Sequence, residues 1–169
     1  MWKSILVPHD FSPCSDRALD YAVDVARVHR AGLTLLHVCA LPDDLSDDTV
    51  VEPPEEGRAL GIAEYATRGA LRRLETIAEP RRREQQLTVA TKAVTGACAD
   101  EILRVAQEIE ADLIVVGTHG RTGLSHLLRG SVVEEIVRRA SIPVLTIRFH
   151  SSDAQPTSEE RAAEDELAG

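Results

Sequence analysis

Apolar residues gather in five short runs along the chain: Ser4–Pro8, Leu33–Val38, Leu87–Val94, Asp112–Val116 and Pro143–Ile147. Each has strand length and is rich in β-branched residues. The second, fourth and fifth are almost continuously apolar, as parallel strands buried on both faces must be. The third alternates, which predicts a strand at a sheet edge. Between the runs, apolar residues recur at helical spacing. Ser12 and Pro13 read as an N-cap and first helical position; Ala18, Ala22, Val25, Ala26 and His29 follow, and Gly32 is expected to stop the helix. Residues 58–79 predict a long amphipathic helix through Ile62, Ala66, Ala70, Leu74 and Ile77. Ile102, Leu103, Ala106 and Ile109 make a third stripe, and Val132, Val133, Ile136, Val137 and Ala140 a fourth, ending before Pro143.

Strands thus alternate with helices, which predicts an α/β fold: a single open parallel five-stranded sheet with helices on both faces and right-handed crossovers. In such sheets a ligand sits beyond the carboxyl ends of the strands, at a topological switch point. That rule directs attention to the segments following the first and fourth strands.

A chain of 169 residues suffices for one domain with a proper core, expected over residues 1–149. Aromatics are only 3% of residues, so the core is aliphatic, and a stacking platform for nucleic acid is excluded as an expectation. The net charge of −9 is unevenly spread. The segment 42–57 is acidic, without a basic residue, and is expected to be a mobile surface loop. The tail over 150–169 is acidic and is expected to be flexible. Without these two segments the body is mildly basic, which suits an anionic ligand. Cys14, Cys39 and Cys98 show no CxxC spacing, and an odd count without a framework points to a reducing compartment. No leader is visible and no run approaches the ~20 apolar residues of a membrane helix. The expected location is the cytoplasm, with no membrane partner.

The most informative stretch is Val116–Val132, VGTHGRTGLSHLLRGSV, which begins where the fourth strand ends. It offers Gly117, Gly120, Gly123 and Gly130, then Ser131 at the start of the last helix. Glycines let a backbone approach a ligand closely, and a helix N-terminus presents free N–H groups and partial positive charge. Together they make an anion site of the kind that cradles phosphates. The alternative is that Gly117 and Gly120 merely shape a strand-to-helix turn. The spacing is neither Walker A nor GxGxxG, and no loop lysine is present.

Gly117, two residues, Gly120, nine residues, Gly130, Ser131: this spacing resembles the ATP-binding signature of the universal stress protein family. ILVPHDFS at the first strand, LLHV at the second and SIPVLTIR at the last also resemble that family, in the right order over residues 1–41 and 58–149. The resemblance implies a Rossmann-like, adenine nucleotide alpha hydrolase-like fold that binds ATP, with or without Mg2+, as a regulatory or stress-response ligand. It implies that Pro8 and Asp10 lie against the adenosine, that Val38 contacts adenine and that Val116 lines the ribose side. Gly117, Gly120, Gly130, Ser131 and Val132 would then hold ribose and phosphates. It also implies a homodimer formed through the last strand, Pro143–Ile147. The residue chemistry agrees: an Asp is an acceptor for a sugar hydroxyl or adenine amine, whereas glycine amides and Ser131 are donors for phosphate.

Arg129 stands where family members usually carry an apolar residue; it either points at the phosphates or faces solvent. His119 joins His9 and Asp10 as a residue that could converge on the pocket, though His9 and His119 read as side chains that stand behind the contact residues or face solvent. With no loop lysine, the expectation is no enzyme, or weak ATP hydrolysis at most. Two rivals remain: a slow ATPase or nucleotidyl-transfer enzyme using Asp10 and a loop-bound metal, and a dimeric scaffold that binds AMP or no nucleotide. A cyclic nucleotide is a further candidate ligand.

Overall fold

A computed structural model describes residues 1–41, 49–53, 57, 59–118 and 132–148. In chain order the elements are β1 (Ser4–Pro8), α1 (Pro13–His29), β2 (Gly32–Cys39), β3 (Val50–Val51), β4 (Leu60–Gly61), α2 (Ile62–Gln85), β5 (Val89–Thr95), α3 (Cys98–Glu108), β6 (Leu113–Gly117), α4 (Val132–Arg139) and β7 (Val144–Ile147). Five strands form one sheet in the order β5-β2-β1-β6-β7, and every pairing in it is parallel. The five apolar runs are these five strands, shifted by one or two residues at their ends.

Alternation along the strands divides the core in two. Ile5, Val7, Leu33, Leu35, Leu113 and Val115 face α1 and α2, where they meet Leu19, Ala22, Leu74 and Ala78. Leu6, Leu36, Ile114 and Val116 face α3 and α4, where they meet Ile102, Val105 and Ile136. The alternating strand β5 lies at one edge, as its pattern predicts, and β7 lies at the other. Asp100 of α3 and Glu135 of α4 both pair with Arg139, which ties these helices together at the surface. Among the described residues no helix is long and apolar enough to cross a membrane.

Three local expectations are corrected. Arg30, not Gly32, ends α1: it adopts a left-handed conformation (φ 56°), and Gly32 already belongs to β2. The long helix does not stop at residue 79; it runs through Pro80 to Gln85. Proline removes the bond to the carbonyl four residues back, here that of Thr76. Thr76 and Pro80 are both exposed, so water can meet the freed carbonyl. The final turns are held by Arg81 on Asp20 (3.2 Å) and by Arg82 Nε donating to the Val89 carbonyl (2.7 Å). Finally, the acidic segment is not wholly loop. Val50–Val51 pairs antiparallel with Leu60–Gly61, and Ile62 N–H donates to the Thr49 carbonyl (2.8 Å). Leu60 is 1% exposed and supplies the burial that anchors this ribbon.

Candidate functional site at the carboxyl ends of the strands

The chain turns to opposite sides after β1 and β6, which are neighbours in the sheet, so the topological switch lies between them. Pro8 ends β1 and is buried beside β2, in register with Leu36. Val38, near the end of β2, is half-buried and packs against the core on the α3/α4 side. Val116 is 6% exposed, and Gly117 closes β6. These four residues and Asp10 therefore come together along the carboxyl ends of three adjacent strands. Val132 opens α4 and is 42% exposed. His119, Gly120, Arg129, Gly130 and Ser131 lie outside the described residues.

Asp10 stands in the turn between β1 and α1. Its Oδ1 accepts from the Ser12 amide (3.1 Å) and the Ser12 hydroxyl (2.5 Å). Ser12 in turn caps α1: its Oγ accepts from Ser15 N–H (3.2 Å), and Ser15 Oγ accepts from Ser12 N–H (3.1 Å). Burial pushes the Asp10 carboxyl up, but the hydrogen bonds of Ser12 and Ser15 outweigh it, so the group titrates below the usual carboxylate range. Asp10 is thus a carboxylate at neutral pH, and no hydrogen bond to its Oδ2 is found among the described residues, so this oxygen suits a hydroxyl or amine donor. Its charge reaches Cys98 at the start of α3, whose thiol is pushed up first by burial and further by Asp10.

Gly117 has a packing role that its place in the motif does not reveal. A Cβ there would lie 2.7 Å from Cys14 Sγ and 2.8 Å from the Cys14 carbonyl oxygen, so glycine is what lets β6 pass the first turn of α1. The next amide, Thr118 N–H, donates to the Ile147 carbonyl (2.9 Å) and is spent within the chain. Cys14 is a buried free thiol, 3.7 Å from the same carbonyl.

A model of the Universal stress protein family matches residues 1–148. The chain belongs to this family. A universal stress protein of Methanocaldococcus jannaschii is 33% identical over 88% of this chain and 83% of its own length. A solved universal stress protein family structure from Burkholderia pseudomallei is 29% identical, with a TM-score of 0.63 over 86% of this chain and 96% of that one. Another solved universal stress protein, in complex with cAMP, is 24% identical with a TM-score of 0.61 over 87% and 97% of the two chains, and shares the fold.

Within this universal stress protein fold, four residues beside Asp10 carry more than the sequence reading assigned. His9 is 3% exposed, not facing solvent. Phe11 adopts a left-handed conformation (φ 63°). The His37 ring lies 4.5 Å from the Phe11 ring, and the Arg73 guanidinium of α2 lies 3.7 Å from it. Phe11 and Arg73 carry no signal in the sequence, because nothing local says that residue 73 returns to residue 11.

Proposed function

We propose that this chain binds ATP, alone or with Mg2+, as a regulatory ligand and turns it over slowly at most. The observation that carries this reading is the ionised Asp10 carboxylate, flanked by Pro8, Val38 and Val116 at the strand ends. That set supplies an acceptor for the ribose or adenine edge and apolar walls for the base. The donors for ribose and phosphate are assigned to Gly117, Gly120, Gly130, Ser131 and Val132, with His119 and Arg129 beside them. Support comes from the shared fold, which holds an adenine nucleotide, cAMP, in one solved relative. The proposed setting is the cytoplasm.

The deciding experiment is mass spectrometry of the protein purified without added nucleotide, followed by calorimetry with ATP and AMP. Co-purifying ATP supports the reading; the absence of both a co-purifying adenine nucleotide and any binding of ATP or AMP in calorimetry overturns it. Asp10→Ala is expected to weaken ATP binding about tenfold, the cost of losing a hydrogen bond to a charged group. Turnover that depends on Mg2+ and vanishes in Asp10→Ala would instead establish an enzyme.

The same reading includes a homodimer through β7. Of the two sheet edges, β5 is guarded by charge: Lys92 pairs with Glu108, and Thr91 donates to Glu75. Strand β7 carries Val144, Leu145 and Ile147, with Leu145 38% exposed at the edge. Leu145→Arg is expected to convert the dimer to monomer in light scattering, because like charges would meet across the joined strands. A dimer that survives this change is built elsewhere.

A further inference from the structure

We propose that His9 is a positioning residue for the ligand site, a neutral imidazole clamp that holds the Asp10 turn in its binding geometry. This rests on the reading of Asp10 as a ligand contact. Every polar group of His9 is engaged. Its N–H donates to the Leu36 carbonyl (2.8 Å), and its carbonyl accepts from His37 Nδ1 (2.7 Å). Its ring Nδ1 accepts from Phe11 N–H (3.2 Å), and Nε2 donates to Asp16 Oδ1 (3.1 Å). Residue 10 is therefore bracketed: the His9 backbone is tied to β2, and the Phe11 amide is tied to the His9 ring, which itself pairs with Asp16 of α1. The bracket also sustains a cost: a left-handed non-glycine backbone is unfavourable and persists only where its surroundings over-determine it. Here the surroundings are the His9 acceptor, the His37 ring and the Arg73 guanidinium against Phe11.

The Phe11 bond requires a lone pair on Nδ1, so the proton must sit on Nε2. Protonation would aim a second N–H at the Phe11 amide and open the clamp. The titratable groups around the ring are Asp16 of α1, Asp10 in the turn itself and His37 of β2, with the Arg73 guanidinium of α2 behind Phe11. Burial lowers the His9 pKa below its ordinary value, against the pull of Asp16 and Asp10. A depressed histidine pKa means that the unfolded chain binds the proton first. The stabilisation is complete above about pH 6.5 and is lost as pH falls through the folded value. Asp10 stays ionised across that window, so it contributes no slope of its own.

The test uses the full chain and His9→Asn, whose amide oxygen can take the place of Nδ1 without titrating. Calorimetry with ATP is run at about pH 7.5, above an ordinary imidazole, and again at an acidic pH at which NMR shows that the His9 ring has taken its proton. At the higher pH the two proteins are expected to bind within about threefold of each other, well under one hydrogen bond's worth. On acidification the parent should lose about tenfold more affinity than His9→Asn, a difference on the scale of one hydrogen bond. Comparing the two proteins cancels the titration of ATP itself. Equal pH slopes overturn the proposal. An independent readout is the Phe11 amide proton by NMR in the nucleotide-free parent, which should titrate together with the His9 ring. An amide that does not follow the ring also overturns it. If the parent binds no nucleotide at either pH, the functional reading has failed, and the clamp on the Asp10 turn stands or falls on the Phe11 amide alone.

Discussion

Gly117→Val is expected to destabilise the whole domain rather than only weaken a ligand. The new Cβ would stand 2.7 Å from Cys14 Sγ and 2.8 Å from the Cys14 carbonyl oxygen. The carbonyl belongs to the first turn of α1, which is capped by Ser12 and Ser15 and cannot swing aside as a side-chain end could. Overpacking of this kind costs about 3 kcal/mol, the upper part of the usual range. For a domain of this size that is a fall in Tm of roughly 6–12 °C. Thermal or urea denaturation checks it, and an unchanged midpoint would mean that β6 and α1 can separate freely. Adding Cys14→Ala should recover only part of the loss, because the sulfur is removed and the carbonyl remains.

Gly120→Val and Gly130→Val are expected to do the opposite: abolish ATP binding without unfolding the domain. Both positions lie outside the described residues, and the expectation rests on the spacing of the motif and on the nucleotide reading. An added side chain at a glycine that must approach a phosphate blocks that approach. Calorimetry reads the affinity, and circular dichroism reads the fold. Unchanged affinity in both variants counts against the phosphate assignment. The contrast with Gly117 separates two reasons for a glycine within one motif, namely packing of the chain against itself and packing against a ligand.

Some local rules were overruled by contacts that a sequence window does not contain. A proline ordinarily marks a helix boundary, yet α2 continues past Pro80 because Arg81 pairs with Asp20 of α1 and Arg82 donates to the Val89 carbonyl of β5. Glycine ordinarily ends a helix, yet Arg30 takes the left-handed position and Gly32 is drawn into β2, where its amide meets the Lys3 carbonyl at 2.9 Å. The ribbon of Val50–Val51 and Leu60–Gly61 was hidden for a similar reason. Two-residue strands are too short for periodicity, and the acidic residues around them read as solvated loop.

The order of apolar runs and helical stripes was enough to determine the layered sheet and the edge place of β5. These follow from burial, which is written into the chain as periodicity. That Pro8, Asp10, Val38, Val116 and Gly117 gather at the strand ends was legible in advance, because motif and strand end coincide; their contact with a nucleotide is a proposal. Only the tertiary structure decided that His9 is buried, that Phe11 is held left-handed between His37 and Arg73, and that Gly117 is required by Cys14. Those facts depend on which distant segments meet. Hydrophobic periodicity says which face is buried and leaves the partner across it to the packing of the whole chain.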